Sequence, residues 1–185
     1  MATDISQDES LEELVARAKR SERETQAVLQ RFHASQRDAW EKLVGPAVVD
    51  QMLQSRTAAE GFLADKDSKR RLVSLSVLIH HWKPDRNLAV VAEKLAFDDP
   101  DPEVREVALL AVGAYYATTA DKRISALLAE ATSDTTRPER LRKAAYLALF
   151  QVSNLPIQSW PDATSCRFPE DVDWEFVRKA IGPQR

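Results

Sequence analysis

Between Phe97 and Tyr116 the chain reads FDDPDPEVREVALLAVGAYY, and that stretch admits few folds. Asp101 stands where a helix N-cap belongs, and Pro102 follows at the first helical position, where a missing N–H removes nothing. Val104, Val107, Ala108, Ala111, Val112 and Tyr115 then recur three and four apart, which lays one apolar stripe along a helix. Small residues at Ala108, Ala111, Gly113 and Ala114 leave little side chain to hold a neighbour away, so a second helix can lie close along this one. The stretch predicts a helix built to be stacked upon.

The pattern recurs at spacings that suggest a repeat architecture. Pro138 to Leu149 reads PERLRKAAYLAL, setting Leu141 against Val104, Arg142 against Arg105 and Ala145 against Ala108. Asp67 to Leu78 reads DSKRRLVSLSVL, which keeps the Asp and Arg positions at Asp67 and Arg71 but has Arg70 where the other copies carry Val or Leu. The first two copies are each followed by a turn and a second amphipathic segment, Asn87 to Phe97 and Asp121 to Ala131, so the expected unit is a helical hairpin. The run DPEVR followed by ALLAVG resembles the first helix of a HEAT repeat, and the resemblance spans about residues 61 to 152. It implies an all-α protein, a short right-handed α-solenoid of HEAT-like hairpins. Pro138 replaces the Asp of the other copies, so a ladder of Asp-to-Arg contacts between repeats is expected to break there.

Around this centre the chain divides into an N-terminal helical extension or cap (1–60), the repeats (61–152), and an irregular loop with a C-terminal capping helix (153–185). Helix is expected from Asp8 to about Val44, with Gly45-Pro46 ending one helix and opening the next. Ser153 to Asp173 contains three prolines and lacks helical periodicity, but Leu155, Ile157, Trp160 and Phe168 predict that it packs over the end of the repeats. DWEFVRKAI, from Asp173 to Ile181, reads as a short amphipathic helix with basic residues in its last turn.

Net charge is −3, and residues 61–152 carry 13 acidic and 14 basic side chains, which is not the one-signed stripe that grips a phosphate backbone. No apolar run approaches the roughly 18 residues of a membrane helix, and Met1 to Glu9 is polar and acidic, so a cytoplasmic protein is expected. A single cysteine, Cys166, fits a reducing compartment.

Signals for chemistry are sparse. His80 and His81 are adjacent and diverge by about 100° on a helix, His33 lies far from both, and no cysteine or carboxylate spacing completes a zinc set. Cys166 has no evident histidine partner. With 4 glycines and no phosphate-binding or nucleophile-elbow motif, neither a catalytic residue nor a cofactor or metal ligand is assigned.

The HEAT resemblance implies that second helices line a concave surface where another protein would lie. It points to Arg86, Lys94, Lys122, Arg123 and Glu130, the polar positions left once Leu88, Val91, Leu95, Ile124, Leu127 and Leu128 are buried. The expected function is a non-catalytic protein-binding module: an adaptor, assembly factor or inhibitory partner. Two alternatives follow from HEAT-like relatives. One is a nucleic-acid binder using Lys69, Arg70, Arg71, Arg137, Arg140, Arg142 and Lys143; the other is an enzyme or cofactor-handling lyase whose lid is the 153–173 loop.

Overall fold

The computed structural model describes residues 34–82 and 85–182, and every regular element among them is helical, with no strand. In order these are α1 (34–44), α2 (Pro46–Gln54), α3 (Arg56–Phe62), α4 (Ser68–His80), α5 (Arg86–Asp98), α6 (Pro102–Tyr115), α7 (Lys122–Ser133), α8 (Glu139–Val152), a 3-10 turn (Ile157–Ser159) and α9 (Trp174–Ile181). The expected helix from Asp8 onward lies outside the described residues as far as His33. Among the described residues no helix is long and apolar enough to cross a membrane.

Local chemistry accounts for the boundaries. Gly45 takes φ 85°, a left-handed value that glycine adopts freely, and Pro46 opens α2. Ser55, Asp67, Asp85, Asp101, Asp121 and Asp173 each turn a side-chain oxygen onto a free backbone N–H at the start of the helix that follows. Pro138, the departure from the repeat pattern, offers α8 no such cap.

α6 is the hub of the packing, lying against α4, α5 and α8, and one apolar core runs from Trp40 to Val177. The helix pairs differ from the expected ones. α4 was expected to pair with α5, and α6 with α7; the extensive contacts instead join α3 to α4, α5 to α6 and α7 to α8. Each motif helix therefore packs on the helix before it. The three-residue Asp99–Asp101 connection folds α6 straight back on α5. Successive motif helices also pack on one another, α4 on α6 and α6 on α8.

A repeated hydrogen bond marks the true pairing. The arginine four residues after each cap position folds back onto the end of the preceding helix or the turn that follows it. Arg71 donates to the carbonyls of Asp65 and Lys66, Arg105 to that of Asp99, and Arg142 to that of Thr132. Arg71 also reaches the next turn, where both oxygens of the buried Asp99 carboxylate accept from it at 2.8 Å. The matching turn before α8 carries Thr136, and among the described residues Arg105 makes no ion pair to that turn. Arg140 instead joins α8 to α6, lying 3.6 Å from Glu103 and 3.8 Å from Glu106.

Gly113 sets how closely α6 and α8 approach. A Cβ built there would fall 2.8 Å from the Ala148 Cα and 2.9 Å from its Cβ, with the Gln151 Oε1 closer still. At the N-terminal end, the indole N–H of Trp40 donates to Ser76 and that of Trp82 to the Met52 carbonyl, which ties α1 and α2 to α4. At the other end Cys166, Phe168 and Val172 are buried as the loop crosses α8, whereas Leu155 and Ile157, expected to pack, are 38% and 68% exposed. The loop is pinned through its second half because there the Cys166 carbonyl accepts from Lys143 and Arg142 lies over the Phe168 ring.

Two substitutions of one kind should act in opposite directions. Gly113→Ala gains about 1 kcal/mol of helix propensity but forces a methyl against backbone, an overpacking cost of about 1–3 kcal/mol. Net destabilisation in urea unfolding is expected. Gly61→Ala, where nothing lies within 4 Å of the added Cβ, should stabilise by up to about 1 kcal/mol. Arg71→Ala should lower unfolding free energy by about 3 kcal/mol in the same assay, because it leaves the Asp99 carboxylate buried without its counter-ion.

Candidate functional site

The five residues expected to meet a partner are all exposed, on α5 and α7, but they do not converge on one surface feature. Lys94 lines a cleft of about 480 Å³ between α3 and α5, floored by Leu63, Leu88 and Leu95, with Glu60 also on its wall. Val91, expected to be buried, is 37% exposed there, and its neighbour Val90 is 61% exposed. The cause is the altered pairing: α5 gives its apolar stripe to α6, so this side of the helix is left facing water. Arg86 opens α5 and Glu130 lies near the end of α7, both in solvent.

Arg123 is committed within the chain. Its guanidinium grips Glu93 of α5 with bonds of 2.8 and 3.0 Å, and the Tyr116 hydroxyl donates to the same carboxylate at 2.8 Å. The Arg123 bond, joined by that of Tyr116, holds the Glu93 carboxyl below its usual range, while burial and the neighbouring carboxylate push the Tyr116 phenol up. This cluster is the tie between α5 and α7, whose backbones otherwise scarcely meet.

Lys122 belongs to a larger cleft of about 750 Å³ enclosed by α7, α8, the start of the C-terminal loop and α9. Ala126, Leu149, Leu155, Phe176 and Ile181 supply its apolar lining, and Lys179 is its second cation. The positions follow from local structure. The link between α6 and α7 is fixed by Thr118 and Ala120, whose N–H groups donate to the carbonyls of Gln151 and Val152 at the open end of α8. Both take left-handed φ values, 60° and 51°, uncommon for residues with a Cβ and held by those two bonds. Lys122 follows at once as the first residue of α7. On the opposite wall, α9 is anchored by the Asp173 N–H to the Tyr146 hydroxyl and by Phe176 stacked at 4.5 Å on Phe150. That sets Lys179 and Ile181 along the rim.

A third cleft, of about 500 Å³, is lined by Asp162, Asp171, Asp173, Cys166 and Tyr146 among others. Its carboxylates are engaged locally: Asp162 by Thr164 and Ser165, Asp171 by Arg167, and Asp173 by the Phe176 N–H. Among the described residues no three His, Cys, Asp or Glu side chains are grouped to hold a metal ion. Cys166 is buried where the loop crosses α8, and His81 stacks edge-on against Trp82.

The cations of the nucleic-acid alternative are largely occupied. Arg71 holds Asp99, Arg70 lies 3.3 Å from Asp65, and Arg137 pairs with Asp134 and lies over Phe97. Arg140 faces Glu103 and Glu106, while Arg142 and Lys143 bond backbone carbonyls. Of the seven, Lys69 alone makes no such bond or ion pair among the described residues. The feature missed from sequence is the large cleft as a whole; its signal was the apolar Leu155 in a loop that does not bury it. Comparison with family models, with curated proteins and with solved structures gave no match to this chain.

The α5–α7 tie has a pH signature. A carboxyl whose folded pKa is depressed adds stability above its unfolded pKa, near 4.3, and loses it as pH falls through the folded value. Glu93→Gln should therefore cost on the order of 1 kcal/mol at pH 7, discounted for partial exposure. The difference from wild type, read by urea unfolding, should fade as pH drops below about 4.

Proposed function

We propose that the chain is a short HEAT-like helical module that binds another protein without catalysing a reaction, using the α7–α8–α9 cleft. The observation that carries this reading is the cleft itself: about 750 Å³ with a predominantly apolar lining, bordered by Leu155, a side chain left 38% exposed. Apolar surface concentrated in a concavity is the usual mark of an interaction site. The HEAT-like part of the proposal draws support from the motif helices α4, α6 and α8, stacked in succession, and from the arginine-to-turn bond made by Arg71, Arg105 and Arg142. In such an array each unit touches only its neighbours, and the open ends and edges are available to partners.

Two further observations favour protein over nucleic acid or a lidded active site. Six of the seven cations that would meet phosphates are already paired or bonded within the chain. The loop that would serve as a lid is anchored across α8 by Cys166, Phe168 and Val172.

Affinity capture from a lysate of cells expressing the chain tests the reading, with wild type compared against Ala126→Gln, which fills the cleft at a partly exposed helix position without changing charge. A protein retained by wild type and lost from the variant is expected. Capture of nucleic acid alone, or of the same proteins by both forms, would overturn the assignment to this cleft.

A further inference from the structure

Charge distinguishes the three clefts. The α3–α5 cleft carries one acid and one base, Glu60 and Lys94. The cleft beneath the C-terminal loop carries three aspartates and no cation. In the α7–α8–α9 cleft the charged residues are Lys122 and Lys179, both exposed, and no carboxylate lines it. Neither lysine makes an ion pair with any described residue. Elsewhere most described arginines of this chain are engaged in ion pairs, as Arg123 is by Glu93 and Arg71 by Asp99. Asp121, beside Lys122 in sequence, turns its carboxylate onto the Ile124 N–H as the α7 cap and is not part of the lining.

We infer that the cleft receives a segment of a partner protein carrying acidic side chains next to apolar ones. The inference rests on the protein-binding reading above and adds the chemistry of the partner. Apolar side chains of the segment lie on Leu155, Phe176 and Ile181, and its carboxylates meet Lys122 on one wall and Lys179 on the other. The net charge of −3 does not oppose this, because charges more than about 8–10 Å away are largely screened at physiological salt, whereas the two lysines are at the contact. Lys122 also stands in the first turn of α7, where the helix dipole adds to its positive field. A neutral apolar segment would gain nothing from the two ammonium groups, and a basic one would be repelled by both.

A displayed library of random short peptides, panned on the full chain, tests this. Peptides combining apolar side chains with Asp or Glu are expected to be enriched. A synthetic copy should bind the Lys122→Glu/Lys179→Glu variant at least about tenfold more weakly, and binding to wild type should weaken as salt is raised. Matching circular dichroism of the two forms, both changes being on exposed side chains, excludes unfolding as the cause. Enrichment without acidic bias, equal binding to the lysine variant, or no enrichment at all would overturn the inference. Peptides that ignore the lysine variant but are lost on Ala126→Gln would overturn the acidic partner alone and leave the cleft as a protein-binding site.

Discussion

The close approach of α6 and α8 at Gly113 is the constraint on which the rest of the packing depends. With Ala148 backbone less than 3 Å from where a Cβ would sit, the two helices meet almost backbone to backbone. Such contact buries Ala108, Ala111, Ala144, Ala145 and Ala148, and dispersion over many close atom pairs replaces the burial of large side chains. It also places α6 where α4 and α5 can both reach it, so the core stays continuous from the N-terminal helices to α9.

Polar links then fix the order of the helices. Arg71 joins its own turn to the next through Asp99, and the buried pair is tolerable because the guanidinium also satisfies two backbone carbonyls. At the next step the ladder changes chemistry: with Thr136 and Pro138 in the turn before α8, Arg140 to Glu103 and Glu106 provides a looser and more exposed tie. The open end of α8 is closed by the N–H groups of Thr118 and Ala120, and the loop that follows it leaves the apolar cleft beside α9. The proposed binding cleft and these stabilising bonds therefore lie at the same end of the molecule. The residues that fix the α6–α7 link also place Lys122.

Much of the fold was legible in the chain. The helix boundaries at Asp67, Asp101, Asp121 and Asp173 follow from cap chemistry, which is local, and the buried stripe of α6 follows from three-and-four spacing. The partner of each helix was not legible, because an amphipathic helix states that it must be covered without stating by which neighbour. Pairing α4 with α5 was reasonable from the order of motifs. It failed because α4 and α5 share little contact, whereas Asp99–Asp101 turn α6 directly back on α5. Val91 was misplaced for the same reason. Of the five expected site residues, Lys122 reached the α7–α8–α9 cleft, while Arg123 was claimed by Glu93, thirty residues away, a distance that periodicity cannot see.

The amino-acid order by itself determined an all-helical chain, the position of most of its helix ends and the close-packing surface of α6, since each depends on interactions within a few residues. Tertiary structure alone decided which helices pair, which cations remain unpaired, and that Lys122 and Lys179 share an apolar cleft. Those outcomes depend on contacts between residues tens of positions apart, and are set by how closely backbones can approach at Gly113 and by which carboxylate lies within reach of which guanidinium.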